Sequence, residues 1–216
     1  MAGYFISQFI LAHRTGETAG LEFSNFDFRK LEINITGQVM SRGTSEGEKI
    51  VKIKNMAEPL GGVFWKINLN SVPIIAFFSH LIDMSKEQGS DRFIFTAVTD
   101  PSRALPYNTR KKNSIKYFGL STHAIRALAI TEVQRAFNAN TSGRPEIIQG
   151  HELANNTEAV ADKHYLDKMV TSSAFNDQHH LLDLVLKFTD YEIPERYLRE
   201  AKIIHERGMK LKSKYY

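Results

Sequence analysis

The side chains of this sequence best suited to chemistry fall in a fixed order along the chain. Arg14 stands in Leu11-Ala12-His13-Arg14-Thr15-Gly16-Glu17. Lys52 and Lys54 follow in Lys49-Ile50-Val51-Lys52-Ile53-Lys54. Then come His123 and Arg126, then Gly150-His151, then Lys163-His164-Tyr165. An arginine fork donates paired hydrogen bonds to an oxyanion and keeps its charge. A lysine or histidine can hand over a proton, and a tyrosine hydroxyl can form a covalent intermediate. His123 and Arg126, three apart, share one face of a helix. Lys52 and Lys54, two apart, share one face of a strand. Taken singly, each residue has an ordinary explanation: a surface arginine beside a helix start, solvated strand lysines, a chance His-x-x-Arg, a histidine after a capping glycine, a tyrosine in the core of an amphipathic helix.

Taken together, the order Arg…Lys…His-x-x-Arg…His…Tyr resembles the catalytic domain of the tyrosine recombinases, the phage-integrase family, over residues 5–170. The stretch from Leu11 to Phe28, with Gly16-Glu17 and Phe26-Asp27-Phe28, is similar to that family's arginine box. Ser121-Thr122-His123-Ala124-Ile125-Arg126, leading into Ala127-Leu128-Ala129-Ile130, is similar to its His-x-x-Arg box, and Gly150-His151 to its second histidine box.

The resemblance implies roles for these residues. Arg14 and Arg126 would clamp the scissile phosphate, with His123 and His151 beside them. Lys54, or Lys52 two residues earlier, would protonate the leaving 5′-oxygen. Tyr165 would be the nucleophile and carry the 3′-phosphate. Glu17 would orient an arginine, and His164 is a rival for His151. Two departures stand out. The hairpin after Lys54 continues Met56-Ala57-Glu58-Pro59-Leu60-Gly61-Gly62 in place of an arginine-rich turn. The interval from His151 to Tyr165 is 14 residues, longer than is usual in the family, with Asn155-Asn156-Thr157 as the inserted loop.

The same resemblance implies an activity and its partners: strand exchange on double-stranded DNA within a homotetramer, through a Holliday junction, with accessory DNA-bending proteins and with no metal or other cofactor. It implies a bacterial or phage-encoded protein of the cytoplasm, associated with the nucleoid. The expected organisation is a catalytic core over residues 1–170 and a helical extension of the same domain over 171–216. The family's usual N-terminal core-binding domain is then absent from this sequence. Two other readings stay open: a non-catalytic DNA-binding or regulatory module on the same fold, and a type IB topoisomerase-like strand relaxation.

Bulk properties set the frame. A chain of 216 residues suits one domain, or one and a half, with a real core. Its 42% hydrophobic content is that of a globular protein. A net charge of +4 permits a nucleic-acid partner without requiring one. With no cysteine there are no disulfides and no thiolate chemistry. No Walker-type glycine loop occurs, and His179-His180 lacks the glutamate of a zinc-protease helix. No apolar run reaches the roughly eighteen residues of a membrane span.

The elements that must position the chemistry follow from periodicity. Residues 2–12 predict a buried helix, and Thr15 caps a second one. Leu31–Thr36, Lys49–Lys54 and Val63–Leu69 alternate as strands, predicting a small three-stranded antiparallel sheet. Gly37–Gly47 reads as a polar connection, and Asn55–Gly62 as a turn. Residues 72–88 predict a helix with Pro73 in its first turn. Asp100–Ser114, rich in Pro, Asn, Lys and Arg, reads as a loop. Helical patterns cover 121–139, 145–153, 157–171, 177–189 and 194–212. The expected class is α+β, mainly helical with a small sheet, as in the DNA breaking-rejoining fold. Residues 181–188 carry an apolar face that needs a partner. Residues 196–214 hold seven Lys or Arg against two Glu, a helix suited to DNA or an acidic groove. The resemblance implies that this C-terminal segment docks on a neighbouring subunit; the alternative is packing on its own domain.

Overall fold

The computed structural model describes residues 1–40, 50–51, 62–69, 71–140, 178–187 and 189–215. The class is α+β, with helices predominating and small antiparallel sheets. The chain forms two compact units, each built from separated stretches: Met1–Thr15 with Arg110–Asp190, and Gly16–Thr109 with Tyr191–Tyr216. The segment 171–216 thus contributes to both.

The first unit is helical. Its α1 (Ala2–Ile10) buries every residue from Gly3 to Ile10. A helix buried all round needs neighbours on several sides. Here they are α5 (Thr122–Asn140) and α6 (Gln178–Lys187). Leu181 and Leu182 of α6, and Ile125, Ala129 and Ile130 of α5, are buried in this core. The apolar face read at 181–188 therefore has a partner within the chain. After Leu11 the backbone turns at Ala12, whose φ of 48° is left-handed. A non-glycine residue pays about 1 kcal/mol for that conformation. The turn is held by Ala12 N–H donating to Phe9 O (3.0 Å) and His13 N–H donating to Gln8 O (3.1 Å).

Asp100–Ser114 is not a loop, as its composition suggests. It forms a strand, β7 (Asp100–Ala104), and most of a helix, α4 (Tyr107–Phe118). Pro106 immediately precedes the helix, a position where its missing N–H costs nothing. Arg110 and Ser114, four apart, turn inward, while Lys111 and Lys112 are exposed.

In the second unit, β1 (Phe26–Asp27), β2 (Glu32–Ile35) and β5 (Trp65–Asn68) form the three-stranded antiparallel sheet, in the order β1-β2-β5. Ile33 pairs with both Phe26 and Ile67. Asp27 shapes the β1–β2 turn by accepting from the N–H groups of Arg29 (3.1 Å) and Lys30 (3.0 Å). This corrects the expected membership of the sheet. The lysine-bearing segment contributes β4 (Ile50–Val51), which pairs with β3 (Gln38–Val39) in a separate two-stranded ribbon. Gly37–Gly47 is accordingly not all connection, since β3 lies within it. Alternation signals a strand but does not choose its partner. A second ribbon pairs β6 (Thr96–Ala97) with β7.

The α3 helix (Val72–Glu87) carries Pro73 in its first turn, as read, and buries Ile74–Phe78, Leu81 and Ile82. Each such side chain contributes about 1.5–3 kcal/mol through removal from water. The C-terminal α7 (Glu195–Tyr215) packs along α3. Tyr197 and Ala201 are buried, and a side chain added at Gly208 would overlap Leu31. The approach to α7 is organised by aromatic and polar contacts. Tyr191 Oη lies 3.1 Å from His80 Nδ1, and the His80 and Tyr197 rings stack at 4.9 Å. Tyr197 Oη donates to Asp83 Oδ2 (3.2 Å) and accepts from Arg196 Nη2 (2.8 Å). Burial, reinforced by Tyr197, pushes the Tyr191 hydroxyl up to about 12.

Candidate active site

Three of the six residues assigned from the sequence are described, and all lie in the first unit: Arg14, His123 and Arg126. Lys54 and its alternative Lys52, His151 and its rival His164, and Tyr165 lie outside the described residues, as do the Asn155–Thr157 insert and the helices read over 145–153 and 157–171.

Arg14 is half-buried between the Ala12 turn and the start of α2 (Thr15–Ala19). Thr15 is the first helical residue there, not the cap that its type suggests. His123 and Arg126 sit in the first two turns of α5. Ser121 caps this helix, its Oγ accepting from Ala124 N–H at 3.1 Å. His123 is exposed and Arg126 is 1% exposed. The positive end of the α5 dipole lies at this end of the helix.

The arginine box and the His-x-x-Arg box meet at one side chain. Gln8 Nε2 donates to His13 O (3.3 Å) and to Thr122 O (2.8 Å). Those carbonyls belong to the residues immediately before Arg14 and His123. Segments more than a hundred residues apart are thereby fixed on a single amide nitrogen. Gln8 is fully buried, so water cannot substitute for its bond to His13 O.

A second anchor holds the other side of Arg14. Arg110, fully buried, donates from Nη1 to Thr15 O (2.7 Å) and Thr15 Oγ1 (3.3 Å). Tyr4 Oη donates to the same carbonyl (2.8 Å) and lies 2.7 Å from Thr15 Oγ1. Arg14 is thus flanked by two residues whose backbone carbonyls are tied down. Gly16 follows for a steric reason: a Cβ there would come within 2.7 Å of Val39 O. Glu17 is buried behind it.

Gln8 and Arg110 were missed in the sequence, although both left signals. Ser7-Gln8 is a polar pair inside an otherwise apolar helix. Arg110 lies four residues before Ser114 in a segment introduced by Pro106.

What the described part brings together is backbone: the carbonyls before Arg14 and before His123 share the Gln8 amide, with Arg14 half-buried, His123 exposed and Arg126 buried. Among the described residues no cluster of His, Asp or Glu could hold a metal ion, and no helix is long and apolar enough to cross a membrane. No protein-family model matches the chain, and no curated protein sequence does either.

Proposed function

We propose that this chain is the catalytic domain of a site-specific DNA recombinase of the tyrosine type, which cleaves and rejoins DNA strands through a covalent 3′-phosphotyrosine. The observation that carries the reading is the Gln8 amide, which joins the carbonyl before Arg14 to the carbonyl before His123. That juxtaposition is what two boxes need if they are to act on one phosphate.

In the proposed step the Tyr165 oxygen attacks phosphorus and the bond to the 5′-oxygen breaks. The tyrosine proton leaves to a base, and Lys54 supplies a proton to the departing oxygen. Arg14 and Arg126 hold the non-bridging oxygens while charge redistributes, where fixed donors contribute most to rate. His123 and His151 assist at the same phosphate. Attack by a new 5′-hydroxyl reverses the sequence, so the bond energy is conserved without a high-energy cofactor. A homotetramer on duplex DNA is the assembly in which such an exchange is completed.

A nicked suicide substrate tests the reading, because loss of the short cleaved strand traps the adduct. The wild-type chain should form a covalent protein–DNA species and Tyr165→Phe should form none, while binding DNA with unchanged affinity. An adduct of normal yield from Tyr165→Phe would remove Tyr165 from its role. No adduct from the wild type on any substrate would leave a DNA-binding module without chemistry.

A further inference from the structure

We infer that the outward face of α7 is a nucleic-acid-binding ridge that grips the phosphate backbone of duplex DNA, separately from the residues assigned to catalysis. The inference rests on the DNA-directed reading above for the identity of the partner. Its own support comes from the geometry of α7.

At 3.6 residues per turn, successive side chains are about 100° apart. Tyr197, Ala201 and Gly208 are buried on the side that packs against α3 and Leu31. On the opposite side Arg199, Ile203, Arg207 and Lys210 fall within an arc of about 80°, and all four are exposed. Arg196 begins the same line and is also exposed, although its guanidinium is committed to the Tyr197 hydroxyl. The fixed face of the helix therefore dictates that its cations point away from the core. From Arg199 to Lys210 the line runs about 16 Å along the axis, at 1.5 Å per residue.

These cations are also uncommitted. Glu195 and Arg199, like Glu206 and Lys210, are four apart, the spacing that favours an ion pair on a helix. Yet the side chains of Arg199, Arg207 and Lys210 make no ion pair or hydrogen bond with any described residue. A straight row of unpaired cations complements a linear polyanion. Duplex DNA presents a negative charge about every 1.7 Å of its axis. Two arginines in the row suit phosphate oxygens through their paired donors. An anionic lipid surface is less well matched, since the apolar side chain within the row is a single Ile203, where a helix lying in a membrane needs a broad apolar face.

The test is a salt titration of the intact chain on short duplex DNA of arbitrary sequence, followed by fluorescence anisotropy. The slope of log affinity against log salt should drop by about 0.9 for each phosphate that the protein no longer neutralises. Arg199→Gln, Arg207→Gln and Lys210→Gln combined should therefore reduce the slope by about 2.7. Lys202→Gln, also exposed on α7 but off the row, should leave it nearly unchanged. An unaltered slope in the triple variant would overturn the ridge, as would an equal per-residue effect from Lys202→Gln. Loss of binding to phosphatidylserine vesicles in the triple variant, with DNA binding intact, would assign the row to lipid and overturn it too. All substituted positions are solvent-exposed, and an unchanged melting temperature certifies the fold.

The suicide substrate at saturating protein separates this inference from the catalytic one. If the triple variant has the lower slope and yet forms adduct at wild-type yield, the ridge binds and does not catalyse, as inferred. If the wild type forms no adduct but the slope still falls, the ridge stands and the recombinase reading fails. Adduct formation with no slope change sinks the ridge alone.

Discussion

The two units bury polar groups in different ways. In the second unit, Ser85 and Ser90 both donate to Phe93 O (2.7 and 2.8 Å), and Asn25 reaches Thr36 Oγ1 (3.0 Å). These are short side chains closing local turns, and Glu17 is the one long charged residue buried in this unit among the described residues. The first unit buries Gln8, His13, Arg110 and Arg126, which are long, and three of them carry or can carry charge. Burying such groups is expensive unless they are satisfied. Gln8 and Arg110 are used to fix the backbone on either side of Arg14. The contrast separates a unit built for stability from one whose stability is partly committed to holding a polar constellation in place.

That division can be broken most sharply at Arg14. Arg14→Ala should lower the rate of adduct formation by about 10²–10³-fold, the usual loss when one donor to a developing oxyanion is removed. Its thermal melting point should move little, because the side chain is only half-buried. Single-turnover cleavage read beside a melting curve decides the matter, and parallel losses in both would erase the distinction between the units.

Gln8→Leu should act on both quantities. It removes a bond to the buried His13 carbonyl, at about 1–3 kcal/mol, and releases the tether between the two boxes. Cleavage per folded molecule should fall in addition to the shift in urea midpoint. A pure stability loss would mean that the boxes are positioned by something other than this amide.

Gly208→Val gives the converse. Overpacking against Leu31 should cost about 1–3 kcal/mol by denaturant unfolding, with cleavage by the remaining folded protein unchanged. A catalytic defect at full folding would show that the second unit is not merely a scaffold.

The smallest effect concerns pH. Burial lowers the His80 pKa beneath its ordinary 6.5, and Arg196 lowers it further, while Asp83 and Glu87 oppose the shift. Tyr191 and Tyr197 pack against the same ring. The unfolded chain therefore takes up a proton more readily than the folded one. The stability contributed by neutral His80 is complete above pH 6.5 and is lost as the pH falls below it. The difference in unfolding free energy between wild type and His80→Phe, measured from pH 8 to pH 5, should narrow on the acidic side. A pH-independent difference would mean that His80 does not titrate in this range.

Periodicity carried the long elements. α3, α5, α6 and α7 were legible because apolar residues recur at helical spacing, α1 because it is a short, almost wholly apolar run, and β2 because Leu-Glu-Ile-Asn-Ile-Thr alternates cleanly. Pairing was not legible. Nothing in Lys49–Lys54 states that its partner is Gln38–Val39 instead of the longer neighbouring strands. The segment from Asp100 was misread for a different reason. Its helix presents Lys111, Lys112 and Lys116 outward and buries an arginine and a serine in place of leucines, so composition hid the period. At the candidate site, His-x-x-Arg was visible because it is local. The Gln8 tether was not, because a hydrogen bond across more than a hundred residues leaves no trace in local pattern beyond one polar residue in an apolar helix.

The placement of α1 has a consequence for synthesis. Its partners are α5 and α6, and the second of these ends at Lys187. A ribosome adds about 5–20 residues per second, so this apolar helix leaves the exit tunnel on the order of ten seconds or more before its partners exist. During that interval Tyr4, Phe5, Ile6, Phe9 and Ile10 have no core to enter. The nascent chain thus exposes this apolar helix over a defined window, and slow translation downstream of the helix lengthens its exposure to aggregation.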